Sequence, residues 1–232
     1  MEIPILYSDD SLLVIDKPAG IPVLPDGWNK DAPYLVKLLE EQFSPLWVVH
    51  RLDKVTSGVM VFARTAESHR ALSMQFEQRE TRKVYHAICV GAPAWDEHTA
   101  RHKLRINVGH SHRTVVDNSR GIPAETQFKV LKRYNGHGLL ECIPATGRTH
   151  QIRVHAYALG HPLLGDVLYS APLVSPHFEP KNGGVSEGQG GLARPALHSV
   201  SLTITHPVTG ERLTFTAPYP PDFAVALTHL ST

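Results

Sequence analysis

The sequence predicts an α+β fold with a mixed, largely antiparallel β-sheet core and flanking helices. Many short segments alternate between apolar and polar residues and are separated by turn sequences, which is typical of strands joined in hairpins. A few longer segments carry apolar residues at helical spacing behind a capping residue. No predicted strand runs into a glycine-rich phosphate loop, which argues against a nucleotide-cofactor fold.

The first ninety residues predict strands interrupted by two helices. Asp9 and Asp10 form a turn between two apolar runs, which predicts a pair of strands ending at Lys17. Asp31 is the expected cap of a short helix, and Thr65 is the expected cap of a longer one. The further elements are a helix from about residue 33, strands at 47–49 and 59–63, a helix at 65–80 and a strand at 83–90.

The rest of the chain predicts mainly hairpins. Asn135 and Gly136 mark a tight turn between two strands. Thr149 is expected to cap a helix that Gly160 ends. The bounds in order are a hairpin within 98–113, strands at 126–134 and 138–143, a helix at 149–159, two strands around a turn at 207–210 and a helix from about 221. We predict one domain over residues 1–232 with a flexible, Pro-, Gly- and Ser-rich loop insertion at about 170–193.

Composition limits the classes of function. Of the 232 residues, 42% are hydrophobic and 19% are charged, which is enough apolar material for a sizeable core. The formal net charge is +1. Dedicated nucleic-acid-binding domains are often strongly basic, so any site for a polyanion must be local.

The chain carries no signal for a membrane or for export. Its longest purely aliphatic run is Leu12 to Ile15, and acids stand near the start where a secretory signal carries Lys or Arg. The two cysteines, Cys89 and Cys142, form neither a metal spacing nor a disulfide framework. We therefore expect a cytoplasmic protein that binds no membrane.

The first cluster of candidate site residues is HRLDKVTSG, which begins at His50. In an extended segment Arg51 and Asp53 point to one face, because side chains alternate with a period of two. A nearby arginine keeps an aspartate ionised and available as a nucleophile or an electrostatic stabiliser. The pattern alone also fits a structural ion pair at the edge of a sheet.

The second cluster is TGRTHQIRVH, which begins at Thr146 at the start of the predicted helix. It places Arg148, His150 and Arg153 near a helix N-terminus, where cations are unfavourable unless an anion lies close by. The cluster therefore predicts a site for a carboxylate, a phosphate or both. Exposed arginines that contact carbonyls or acids would give the same spacing.

A third cluster is RKVYH, which begins at Arg82. On a strand Lys83 and Tyr85 share one face, and the tyrosine could stack on a flat base or accept a proton. A core tyrosine at a sheet edge explains the same pattern. The 15 histidines raise the question of zinc, but the crowded stretch at 98–112 lacks a tetrahedral ligand set with standard spacing, so we predict no metal.

Taken in order, these clusters resemble the signature segments of RNA pseudouridine synthases of the RluA type. The matching segments are SDDSLLVIDKPAGIPVLP, HRLDKVTSGVMVFART, RKVYHAICVG, TGRTHQIRVHAYALGHPLLGD and ALHSVSLTITHPVTGERLTFTAPYPPDF. The resemblance covers about residues 7–223 and implies a pseudouridine synthase-like fold with a central catalytic cleft. The chain resembles short members of the family that lack an N-terminal accessory RNA-binding domain.

The resemblance implies site-specific isomerisation of uridine to pseudouridine in structured RNA, either transfer RNA, ribosomal RNA or both. It places the essential aspartate at Asp53, the ring-contacting tyrosine at Tyr85 and the basic partner of the aspartate at Arg153. Arg51 matches the arginine that fills the space left by a flipped nucleotide. Whether the aspartate acts as a nucleophile or removes a proton from the sugar stays open.

RNA contacts are expected from Arg51, Lys83, Arg148 and His150, with further candidate phosphate contacts at Lys17, Arg82 and the 98–113 stretch. The reaction is redox-neutral, so we expect no cofactor, and we expect a monomer. Two alternatives remain on the sequence alone. One is an RNA-binding module without activity. The other is a glycoside or nucleoside hydrolase, in which Asp166 would be the second carboxylate.

Overall fold

The computed structural model describes residues 2–25, 32–109, 113–169 and 192–231. Most of the predicted loop at 170–193, the cap predicted at Asp31 and the tip of the 98–113 hairpin lie outside these residues. The elements in chain order are β1 (Ile5–Ser8), β2 (Leu12–Lys17), α1 (Leu35–Phe43), β3 (Trp47–Val48), β4 (Ser57–Ala63), α2 (Ala66–Glu77), β5 (Arg82–Val90), β6 (Glu97–Val108), β7 (Arg113–Val116), β8 (Ile122–Tyr134), β9 (His137–Pro144), α3 (Gln151–Ala158), β10 (Leu197–Thr205), β11 (Arg212–Thr216) and α4 (Pro221–Leu230).

By its contacts the chain divides into two compact units. Unit 1 comprises Met1–Tyr85 and His198–Pro218, and unit 2 comprises His86–Leu197 and Tyr219–Thr232. A single catalytic domain over residues 1–232 stays a prediction. The predicted α+β class with a mixed, largely antiparallel sheet is confirmed, because one parallel strand pair joins several antiparallel ones.

Unit 1 is built around β4, which pairs antiparallel with β2 and β3 and parallel with β10. Every residue of β4 is buried, because the sheet is covered on both faces. Val59, Val61 and Leu72 belong to one core cluster that joins β4 to α2. Thr65 caps α2 as predicted, since its side chain accepts a hydrogen bond from the amide of Ser68.

Unit 2 contains an antiparallel meander in the order β9, β8, β6 and β7. The predicted turn at Asn135 and Gly136 joins β8 to β9, and Gly136 has the positive φ of 72° that this turn requires. Leu104, Ala124 and Val154 form a core cluster beneath α3. Residues 151–156 of α3 are all buried, whereas Tyr157 and Ala158 at its end are exposed.

Two predicted helix starts differ from the structure. Helix α1 has Tyr34 as its N-cap, with no side-chain cap bond, instead of Asp31. Helix α3 has His150 as its N-cap, in a left-handed conformation with φ of 55°, instead of Thr149. Thr149 is not the cap because its carbonyl accepts the hydroxyl of Thr114 and the next residue makes the turn. Helix α4 begins with Pro221 as predicted.

Candidate active site

The turn that carries Asp53 in unit 1 is held by a buried lysine. Lys17 is fully buried, and its Nζ donates to the carbonyls of Pro18, Lys54 and Thr56 at 3.0, 3.3 and 2.9 Å. Two of these carbonyls, those of Lys54 and Thr56, follow Asp53 within three residues. Hydrogen bonds from a charged donor are about twice as strong as neutral ones, so Lys17 fixes this turn. Lys17 is therefore structural, and its predicted contact with phosphate is not supported by its burial.

A buried serine–histidine pair holds the other end of the turn. The Ser57 hydroxyl lies 2.9 Å from Nδ1 of His198, and Nε2 of His198 lies 3.4 Å from the carbonyl of Ala217. Nε2 therefore donates to this carbonyl, and Nδ1 accepts the serine proton. Both residues lie on the parallel pair β4–β10, where His198 is opposite Ser57. The amide of Thr56 closes the turn on the carbonyl of Asp53 at 3.0 Å.

Tyr85 is buried in unit 1 near Asp53. Burial first, and then the negative charge of Asp53, raises the pKa of Tyr85 above its ordinary value of 10.0, while a hydrogen bond with Ser199 opposes the rise. The Asp53 side chain is half-buried and thus still reached by solvent. A neutral ring held beside a partly exposed carboxylate can contact a flat base that enters there.

His50 lies just before the Asp53 turn and contacts β4 and α2. Its Nε2 accepts the amide proton of Val61 at 3.1 Å, in the position where the antiparallel ladder of β3 and β4 would place a carbonyl. The ring stacks on Phe76 at 4.6 Å between centroids. Burial, and next the charge of Lys83, lowers the pKa of His50 to about 3. His50 is therefore a neutral structural acceptor at all ordinary pH values.

Arg51 follows His50 and is exposed, whereas Leu52 is buried, so the predicted alternation is present. Within the described residues Arg51 forms no ion pair, so it is not the partner of Asp53 that the pattern suggested. An exposed guanidinium without a carboxylate is available to a ligand. Lys83 is half-buried on the same strand face as Tyr85.

Arg153 in unit 2 forms a bidentate ion pair with Asp166. Nε and Nη2 of Arg153 donate to Oδ2 and Oδ1 of Asp166 at 2.6 and 2.8 Å, and the two side chains are 6% and 0% exposed. Oδ1 of Asp166 also accepts the amides of Leu168 and Tyr169 at 3.2 and 3.3 Å. This geometry fixes the guanidinium plane of Arg153. The sequence predicted a site for a carboxylate, a phosphate or both at this cluster, and the pairing of Arg153 with Asp53 stays a prediction.

Tyr169 packs against both predicted residues of α3. Its ring lies 5.0 Å from the guanidinium carbon of Arg153, and its hydroxyl lies 3.0 Å from Nδ1 of His150. The same hydroxyl accepts the amide of Thr114 at 2.8 Å. A buried tyrosine hydroxyl with two partners is fully satisfied, so Tyr169 holds Arg153 and His150 in one arrangement.

Arg148 is the exposed member of this cluster. Its amide donates to Oε1 of Gln151 at 3.1 Å, while its side chain makes no ion pair among the residues that the structure describes. Gln151 also bonds Thr146 and the carbonyl of Glu125, so the loop is rigid. Arg148 therefore presents a free cation from a fixed backbone.

Sequence reasoning missed the residues that hold the site residues in place. Lys17 was interpreted as a phosphate contact, Asp166 only as a second catalytic acid, and His198 and Tyr169 not at all. KPAG, GHPLLGD and ALHSV contain three of them inside segments that were already matched. Their role was not visible because it depends on contacts between distant positions.

No group of three or more His, Cys, Asp and Glu side chains that could hold a metal occurs in residues 2–25, 32–109, 113–169 and 192–231. Cys89 and Cys142 are buried, and burial raises the pKa of the Cys89 thiol to about 12. Both thiols are therefore unreactive. No helix in these residues is long and apolar enough to span a membrane.

Known proteins are similar to this chain in sequence and in fold. The sequence profile of the RNA pseudouridylate synthase family matches residues 11–158. The chain belongs to this family. The predicted resemblance to RNA pseudouridine synthases of the RluA type is thereby confirmed.

Individual relatives agree with the profile. Ribosomal large subunit pseudouridine synthase D of Neisseria meningitidis is 39% identical over 232 residues, covering 96% of this chain and 59% of the relative. The dual-specificity RNA pseudouridine synthase RluA of Haemophilus influenzae is 36% identical, covering 92% of this chain and 91% of the relative. The solved structure of Human RNA Pseudouridylate Synthase Domain Containing 4 superposes with a TM-score of 0.78 at 29% identity and covers 98% of this chain and 93% of that one. The chain thus spans less than two thirds of the length of the Neisseria meningitidis relative.

Proposed function

We propose that this chain converts selected uridines in RNA to pseudouridine and that Asp53 is the carboxylate that performs the reaction. One observation carries the proposal: a partly exposed carboxylate lies on a turn fixed by a fully buried lysine, with a neutral tyrosine ring beside it. Rigid placement of the reacting group lowers the entropic part of a barrier. Family membership supports the same reaction.

The chemistry requires neither an oxidant nor a reductant. The bond between the sugar C1′ and N1 of uracil breaks, a bond between C1′ and C5 forms, the hydrogen on C5 leaves as a proton, and N1 takes up a proton. Asp53 can attack the sugar or the base, or remove a proton from the sugar. The target uridine must leave its stack, which costs a few kcal/mol that contacts to base and backbone offset.

The other predicted residues have roles that fit their surroundings. Tyr85 is proposed to contact the uracil ring as a neutral phenol. Arg51 is exposed and unpaired, so it can fill the gap left in the RNA by the extruded nucleotide. Arg153 is proposed to act as the oriented guanidinium of the site, because Asp166 fixes its plane. Each role is tested separately by substitution.

Lys83, Arg148 and His150 are proposed as RNA contacts. Lys83 and Arg148 carry cations without a carboxylate partner in the described part of the chain. His150 is half-buried and fixed by Tyr169. Phosphate contacts of this kind position an RNA and do not read its sequence. We propose transfer RNA, ribosomal RNA or both as the substrate class, a monomeric protein and no nucleotide cofactor.

The hydrolase alternative is disfavoured by the state of Asp166. A glycoside hydrolase needs a second carboxyl group that reaches the substrate. Both oxygens of Asp166 are occupied by Arg153, and the side chain is fully buried. Asp166 therefore supports an arginine and is not placed to protonate a leaving group.

The test compares Asp53→Asn with Asp10→Asn, an exposed acid elsewhere in unit 1. RNA labelled with tritium at C5 of uridine is incubated with each protein, and pseudouridine is mapped at nucleotide resolution. We expect the Asp53 variant to release no tritium while still binding RNA, and the Asp10 variant to match the wild type. Tritium release by Asp53→Asn at the wild-type rate would refute the role of Asp53.

The same assay separates the remaining alternatives. Release of free uracil by the wild type would support the hydrolase. RNA binding without tritium release or uracil release from any cellular RNA would support the binding module without activity.

The cytoplasmic location stays a prediction and is tested by cell fractionation.

A further inference from the structure

Three basic residues of unit 1 lie near the stacked rings of His50 and Phe76. Arg51 follows His50 directly in the chain. Phe76 lies in the last turn of α2, and its carbonyl accepts the amide proton of Arg79 at 3.4 Å. Lys83 lies close enough to His50 for its charge to act on that ring. The two rings therefore bring Arg51, Arg79 and Lys83 to one region of unit 1.

Arg79 and Lys83 have no acidic partner. Within residues 2–25, 32–109, 113–169 and 192–231 neither side chain forms an ion pair or a hydrogen bond. The acids of the same turn, Glu77 and Glu80, form no ion pair either. Several basic residues of unit 2 are paired with carboxylates, among them Arg101, Arg105, Lys129 and Arg133.

The surroundings of Lys83 are unfavourable for its charge. Lys83 is half-buried, and burial followed by the charge of Arg79 lowers its pKa from the ordinary value of 10.5. Its other neighbour, His50, is neutral. Buried charges in folded proteins are normally paired, because an unpaired one loses hydration without compensation. An anion that is supplied from outside would remove this penalty.

Arg79 has an unusual backbone for an arginine. It follows the C-cap Gln78 of α2 with φ of 61°, in the left-handed region where glycine is usual after a helix. The C-terminal end of a helix attracts cations, which offsets part of the strain at Arg79. It does not explain why Lys83 is brought beside a second cation.

We propose that Arg79 and Lys83 form a binding site for one phosphodiester group of the RNA backbone. The proposal rests on the proposed function and deepens it, since Lys83 shares its strand face with Tyr85, the proposed contact of the uracil ring. Arg79 is the residue that sequence analysis did not assign. A phosphate here interacts with both cations and relieves the repulsion between them.

The experiment measures binding of an unmodified transfer RNA transcript by fluorescence anisotropy at several salt concentrations. Arg79→Gln is compared with Arg70→Gln, which removes the same charge from an exposed, unpaired position of α2. The logarithm of the association constant K falls as the logarithm of the salt concentration rises, and each lost phosphate contact makes this slope shallower by about 0.7–0.9. For Arg79→Gln we expect this change of slope and an affinity for RNA that is about 3- to 10-fold weaker. For Arg70→Gln we expect neither change.

Further readouts separate the site from a purely structural role. Thermal unfolding shows whether Arg79→Gln is folded, and Arg79→Lys, which keeps the charge, should recover most of the salt slope. In the tritium-release assay the loss should fall on KM more than on kcat. Equal salt slopes in Arg79→Gln and the wild type, in a folded protein, would overturn the phosphate site. That result leaves the proposed isomerisation standing, because Asp53→Asn tests the reaction separately.

Discussion

Arg153 and Asp166 form a buried, two-point ion pair in which each oxygen of the carboxylate accepts one guanidinium N–H. The contact joins the middle of α3 to the segment that follows it. The proposed catalytic arginine is therefore held by a residue that takes no part in the chemistry, as is common where a side chain must have one orientation.

We expect Asp166→Asn to destabilise the protein by about 3–5 kcal/mol, because it removes the charge of the carboxylate that a buried guanidinium contacts at two points. The matched control is Glu97→Gln in the exposed Lys129–Glu97 pair, whose atoms are 3.6 Å apart, and there we expect a loss below about 1 kcal/mol. Urea denaturation measures both free energies of unfolding. Similar losses in the two variants would contradict the structural importance of the buried pair.

Two glycines with positive φ should differ in their tolerance of a methyl group. A Cβ on Gly58, with φ of 112°, would lie 2.2 Å from the carbonyl oxygen of Ser199, whereas a Cβ on Gly20, with φ of 91°, meets nothing within 4 Å. We expect Gly58→Ala to cost more than about 3 kcal/mol, because the β4–β10 pair must separate. Gly20→Ala should cost about 1–2 kcal/mol from backbone strain alone. Urea denaturation measures the difference, and equal costs would show that β10 moves freely.

His155 should make the protein sensitive to mild acid. It is fully buried, its Nδ1 bonds Thr126, and its Nε2 has no hydrogen-bond partner in the described structure. Burial, and next the proximity of His102, lowers its pKa from 6.5 to about 4. Between these pH values the unfolded chain binds a proton that the folded chain does not, so stability present above about pH 6.5 is lost as the pH falls toward 4.

The variant His155→Asn keeps an atom in the position of Nδ1 and removes the titrating ring. We expect the free energy of unfolding of this variant to fall less than that of the wild type between pH 6.5 and 4. The difference between the two proteins should be about 3 kcal/mol at most, since one pKa unit corresponds to about 1.4 kcal/mol. His50 is unchanged and still contributes to acid sensitivity. Parallel stability curves for wild type and variant would show that His155 does not titrate abnormally.

Tyr85 should stay protonated throughout the working pH range. Burial and the charge of Asp53 raise its pKa above 10.0, so a phenolate at this position is unfavourable. Spectrophotometric titration of the wild type minus Tyr85→Phe should show no ionisation of this residue at or below its ordinary pKa. An ionisation near pH 10 would contradict this prediction and restore Tyr85 as a candidate proton acceptor.

The sequence was sufficient to predict residues whose roles depend on near neighbours. Thr65 caps α2, and Arg51, Leu52 and Asp53 alternate as expected. The supporting contacts could not be predicted, because they join residues far apart in the chain: Lys17 with Thr56, 39 residues away, and Ser57 with His198, 141 residues away. Periodicity describes which face a residue occupies, and not which distant residue will lie opposite it.

Helix α3 shows how tertiary contacts override a local preference. Thr149 has the side chain that normally caps a helix, yet the left-handed His150 takes that position. The reason is that Thr149 bonds Thr114 through its carbonyl and His150 reaches the hydroxyl of Tyr169. Arg153 of the same helix is buried, because Asp166 compensates its charge.

The enclosure of Lys17 makes its amine a chemical reporter of unfolding. Its Nζ is surrounded by three backbone carbonyls and has no exposed surface, so an acylating reagent cannot reach it while the turn is intact. Labelling of this one lysine, followed by mass spectrometry, would therefore time the opening of the turn that carries Asp53, the proposed catalytic carboxylate. Its rate relative to an exposed lysine such as Lys54 would measure how often that part of the molecule loosens in the native state.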